Sequence, residues 1–100
     1  MNDRQITLKS IVSVSKSQTS SELLGEIVIL ELESGVYYGL NETGSRIWSL
    51  IQQSKTVAEI RNTLLAEYEI DSESCTRYVV NLIEDLNAKN LVVVKNETVV

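Results

Sequence analysis

Residues 34–48 read SGVYYGLNETGSRIW, and the fold turns on how this stretch divides. Ser34 and Gly35 supply a small residue and a permissive φ, which is what a tight reversal of the chain needs. In the next five residues Val36, Tyr38 and Leu40 share one face and Tyr37 lies on the other, as on a strand. Asn41 then offers a side-chain oxygen for a helix N-cap, and Gly44, Ile47, Trp48 and Ile51 follow at the spacing of one helical face. A return strand of a hairpin therefore runs straight into a helix, and no catalytic constellation lies at the junction.

Upstream, residues 25–35 place Val28, Leu30 and Leu32 in alternation with Ile27, Ile29, Glu31 and Glu33. One face is apolar throughout and the other turns polar, so this is the outgoing strand. Residues 7–15 are expected to form an earlier strand through Leu8, Val12 and Val14, and the polar, serine-rich residues 16–22 a loop. Downstream, Thr56 caps a second helix with Glu59 at the capping-box position, and Val57, Ile60, Leu64 and Tyr68 form its stripe. Asp71 opens a third, longer helix whose apolar arc is Cys75, Val79, Leu82, Ile83 and Leu86, ending near Asn90. Residues 91–94 read as a short strand or extended arm, and residues 95–100 as a frayed tail. Strands followed by three helices give an α+β class. The outline is winged helix-turn-helix-like: a small N-terminal antiparallel three-stranded sheet followed by three helices.

The chain of 100 residues suits one domain, with an ordered core expected over about 6–94. Its formal charge of -5 and lack of any basic run argue against nucleic acid as a partner. One cysteine permits no internal disulfide, and the absence of histidine removes Ser-His and Cys-His nucleophile pairs and the usual zinc ligands. No catalytic residue, metal or cofactor is expected. No apolar run reaches the length of a signal peptide core or a membrane span, so the expected location is cytoplasmic, without membrane association and as a monomer.

With "YYGLNETGSRIWSLI", "TVAEIRNTLLAEYEID" and "VVNLIEDLNAKNLVVV" on the page, the chain resembles the family of PqqD, the pyrroloquinoline-quinone biosynthesis chaperone. Within it, the likeness is greatest to the free-standing recognition proteins of lasso-peptide gene clusters, over roughly residues 25–94. The resemblance implies a non-catalytic module that captures the leader of a ribosomally made precursor peptide by β-strand addition. It implies further that the leader adds to the third strand of the sheet, in a groove walled by the third helix. Mapped onto this sequence, that strand is Val36, Tyr37, Tyr38, Gly39 and Leu40, and the groove helix is residues 71–89. The implied partners are the precursor leader, a cysteine-protease-like leader peptidase and an ATP-dependent cyclase.

Plainer readings stand beside these. VYYGL is also an ordinary edge strand whose tyrosines finish the core, although a free edge offers unpaired N–H and C=O groups to a peptide. On the third helix, Tyr78, Asn81 and Asp85 lie along one flank of the apolar arc, with Thr76, Val80 and Glu84 towards the other. Either flank can simply be solvated. The Tyr78, Asn81, Leu82 and Asp85 side is the choice for the groove, because an aromatic and a carboxylate suit a leader carrying Tyr and Lys or Arg. Trp48 and Cys75 are assigned to the core, and the acids of residues 67–75 lack the spacing of a calcium loop. A winged-helix DNA-binding regulator is the alternative function; Arg77 and Lys89 set against Glu73, Glu84 and Asp85 disfavour it.

Overall fold

The computed structural model describes residues 5–96. Two three-stranded antiparallel sheets flank the helices. The first, in the order β2-β3-β4, joins β2 (Gln18–Leu23), β3 (Glu26–Glu31) and β4 (Val36–Gly39). The second, in the order β5-β1-β6, places β1 (Ile11–Val14) between β5 (Lys55–Thr56) and β6 (Val92–Lys95). The helices are α1 (Glu42–Leu50), α2 (Val57–Glu67) and α3 (Ser72–Ala88). They meet over a core that includes Trp48, Ile47, Ile51, Ile60, Leu64, Val79, Ile83 and Leu86.

Local chemistry accounts for the helix starts. Asn41 Oδ1 accepts from Gly44 N–H at 2.8 Å. The Thr56 and Glu59 side chains form a reciprocal capping box, and Asp71 Oδ2 accepts from Ser74 N–H at 2.9 Å; each satisfies a donor that the first helical turn leaves unpaired. The next donors of α2 are met from outside it, because Val57 N–H donates to Ser10 O and Ala58 N–H to Leu8 O.

Two expectations need correction. The strand expected over residues 7–15 is confined to β1, because Ser10 is buried and its hydroxyl accepts from Thr7 N–H, bending the chain ahead of it. Residues 16–22 are not a loop: most of them form β2, paired to β3 from Gln18↔Glu31 to Leu23↔Glu26 through a two-residue turn at Leu24 and Gly25, both with positive φ. The first strand of the expected sheet is therefore β2, while β1 pairs with β5 and β6. The face of β3 turned to the helices carries Ile27, Ile29 and Glu31, and Val28 and Leu30 lie on the other. Ile29 is fully buried and Glu31 is only 4% exposed. A glutamate is tolerated there because its carboxylate caps the next turn, accepting from the Ser34 amide and hydroxyl at 2.8 and 2.7 Å. Those bonds hold the Glu31 carboxyl below the usual carboxylate range. The last four residues of the expected tail lie outside the described residues.

Candidate functional site

The third strand of the first sheet, β4, is one of its two edges. Leu40 N–H donates to Ile27 O at 2.9 Å, and the register Val28↔Gly39, Ile29↔Tyr38, Leu30↔Tyr37 continues from that pair. Antiparallel ladders alternate, so Val36, Tyr38 and Leu40 direct their N–H and C=O groups to β3. Tyr37 and Gly39 direct theirs outward, to the side on which β4 has no partner strand among the described residues. This row of backbone donors and acceptors is a template for one more strand.

Side chains tie β4 to α3 at both ends of the gap between them. Tyr78 Oη donates to Asn41 Oδ1 at 3.4 Å, just beyond the end of β4. Lys89 Nζ stands 5.0 Å from the centroid of the Tyr38 ring, a cation-π distance, and pairs with Asp85 Oδ2 at 2.8 Å. At 100° per residue, Tyr78, Leu82, Asp85 and Lys89 fall in one narrow stripe along the helix. Tyr38, Tyr78 and Leu82 are half-buried against the core. The wall facing the strand edge is therefore apolar in the middle and polar at its ends.

The residues expected at the site are not equivalent. Tyr37 is 68% exposed, with its ring on the sheet face away from the helices, while Tyr38 turns toward α3. Leu40 is buried in the core, so only its backbone borders the gap. Asn81 is exposed and lies further round α3 than Tyr78 and Asp85. Sequence reasoning passed over Asn41 and Lys89, which the structure places beside the gap. Lys89 was findable, since it is four residues beyond Asp85 and eleven beyond Tyr78 on the same stripe. A cleft of about 370 Å³ opens where the gap meets α2, lined by Asn41, Leu64, Tyr68, Ile70, Cys75 and Tyr78 among others. Burial pushes the Cys75 thiol up, which suits a packing role rather than a nucleophile.

Among the described residues no group of three or more His, Cys, Asp or Glu is placed to hold a metal ion, and no helix is long and apolar enough to cross a membrane. With Lys89 paired to Asp85, α3 presents no basic face of the kind that reads DNA.

Residues 26–92 match the model of the family "Coenzyme PQQ synthesis protein D (PqqD)". Among solved structures, "TbiB1 in Complex with the TbiA(beta) Leader Peptide" is 32% identical with a TM-score of 0.76, over 87% of this chain and 99% of that one. "Lasso peptide synthetase B1 complexed with the leader peptide" is 21% identical with a TM-score of 0.75, over 82% of this chain and 96% of that one, a likeness of fold. No curated protein matches.

Proposed function

Since the chain belongs to the PqqD family, we propose that it is a leader-peptide recognition domain that captures a ribosomally made precursor by adding the leader as a fourth strand to the first sheet. The observation that carries this reading is the open edge of β4 beside the Tyr78–Leu82 side of α3. Outward N–H and C=O groups of Tyr37 and Gly39 bond the leader backbone, and alternate leader side chains enter the gap beside Tyr78 and Leu82. Main-chain bonds supply affinity common to any extended peptide, and the gap supplies selectivity. Asp85 and Lys89 at one end favour a leader with polar or charged groups there, while the cleft at the other end accepts an apolar or aromatic side chain. The solved complex that is 32% identical holds a leader peptide, which supports the reading.

The protein performs no chemistry of its own in this account. It hands the bound precursor, the precursor of a lasso peptide, to a leader peptidase of the cysteine-protease kind and to an ATP-dependent cyclase, in the cytoplasm. Genes for the precursor and both enzymes are expected to lie beside its own. The test is fluorescence anisotropy with a labelled leader peptide from that neighbouring precursor and a scrambled control. Saturable one-to-one binding of the leader alone is expected; equal binding of both peptides, or of neither, contradicts the proposal.

A further inference from the structure

The cleft at the Asn41 end of the gap leads on to a second depression, of about 260 Å³, that leader addition to β4 leaves unused. Tyr68, which follows α2 as its C-cap, lines both of them. The second depression lies between the β2–β3 hairpin and α1, bordered by Glu22, Ile27, Glu42 and Arg46. A peptide running off the strand edge past Leu40 therefore meets the cleft first and this depression next.

Its electrostatics are one-sided. Glu22 stands opposite Ile27 in the β2–β3 register and is turned with it to the helix side of the sheet. Glu42 stands in the first turn of α1. Both are exposed, and neither has an ion-pair partner among the described residues. The one cation on this border, Arg46, is already taken. Its Nε and Nη2 donate to Glu67 Oε1 and Oε2 at 2.9 and 2.7 Å, and a guanidinium held by both oxygens of one carboxylate has little charge left to offer. Residues 18–45 contain no Lys or Arg. Two carboxylates without counterions thus face a recess that also has aromatic and aliphatic walls, Tyr68 and Ile27. A long basic side chain matches that combination, with its stem on the apolar walls and its charged head at the carboxylates.

We propose that this depression is a second leader subsite, which takes a Lys or Arg side chain from the residues just N-terminal to the strand-forming segment. The inference rests on the leader-binding reading and adds a polarity to it. Every strand pair of the first sheet is antiparallel, and a leader added antiparallel to β4 leaves at Asn41 by its N-terminal side. The edge of β4 holds the extended backbone, and the subsite selects for charge beyond it.

The experiment titrates the labelled precursor leader, by anisotropy at about 0.05 M and about 0.5 M salt, against wild type and two variants. Glu22→Gln/Glu42→Gln removes both charges. Glu67→Gln keeps them and releases Arg46 to compete for them. All three positions are exposed, so melting temperatures should stay near wild type. At low salt each variant is expected to raise leader Kd roughly threefold to tenfold, and at high salt the difference should shrink to under about twofold. A leader whose Lys and Arg residues N-terminal to the strand-forming segment are replaced by Gln should bind all three proteins equally. Leader affinity unchanged in both variants at low salt overturns the proposal. So does a loss that the Gln-substituted leader shows in full, or one carried by basic residues on the C-terminal side. Failure of wild type to bind the leader at all removes the underlying reading as well, and the wild-type titration alone tells that outcome apart.

Discussion

Replacing Tyr37 with proline isolates the backbone contribution to leader binding. The ladder alternation turns the Tyr37 N–H away from β3, so the substitution removes no hydrogen bond of the hairpin, and proline is tolerated on edge strands in that orientation. Tyr37 is 68% exposed, so little core packing changes and the melting temperature should fall by no more than about 4–8 °C, the equivalent of about 1 kcal/mol in a chain of this size. For an incoming strand the loss is larger. One backbone bond contributes about 0.5–1.5 kcal/mol net, and the ring occupies the place of the incoming carbonyl, disturbing its neighbour as well. The sum, about 1.5–3 kcal/mol, corresponds to a rise in leader Kd of roughly tenfold to a hundredfold. Tyr37→Ala is the control, since it deletes the ring and keeps the N–H, and its leader affinity should stay near wild type. Anisotropy titrations of the three proteins decide the matter. If Tyr37→Pro is folded and binds the leader as well as Tyr37→Ala, strand addition at this edge is wrong.

Tyr78→Ala should raise leader Kd about tenfold, the loss of one aromatic contact of about 1–2 kcal/mol, with Tyr78→Phe close to wild type. Leu82→Ala should lower both affinity and melting temperature, because Leu82 sits between core and gap; calorimetry reads both. Thr56→Ala, which breaks the capping box of α2, should cost about 1 kcal/mol of stability in urea unfolding and leave leader binding intact. Glu31, Glu67 and Asp71 all hold their protons less tightly when folded, through hydrogen bonds to Ser34, to Arg46 and to Ser74 respectively. Their contribution is complete above the unfolded carboxylate values near pH 4 and is lost as pH falls through the lower folded values, so melting temperature should be flat from pH 7 to about 5 and drop below about 4.

The helical half of the fold was legible because its signals are local. Asn41, Thr56 and Asp71 are caps whose partners lie three residues on, and the stripes of α1 and α2 bury as their periodicity requires. The sheets were harder, since strand pairing is not local. Gln18–Leu23 carries almost no apolar alternation, because its outer side faces water and its inner side meets little more than the Trp48 indole N–H on Ser20; only its partner reveals it as a strand. Alternation alone does not choose the inward face of β3, because Glu31 looks solvent-facing until the Ser34 hydrogen bonds appear. Around the proposed groove, the alignment of Tyr78, Leu82 and Asp85 was readable from helical spacing, whereas the contacts of Asn41 and Lys89 depend on where β4 passes.

The account stands most directly on a titration of isotopically labelled protein with the precursor's leader peptide, followed by backbone amide shifts. It predicts large shifts at Val36, Tyr37, Tyr38, Gly39 and Leu40 and at Tyr78, Leu82 and Asp85 on α3, with β1 and β6 unmoved. Unchanged amides along β4 and α3, with shifts confined to other elements, would contradict it.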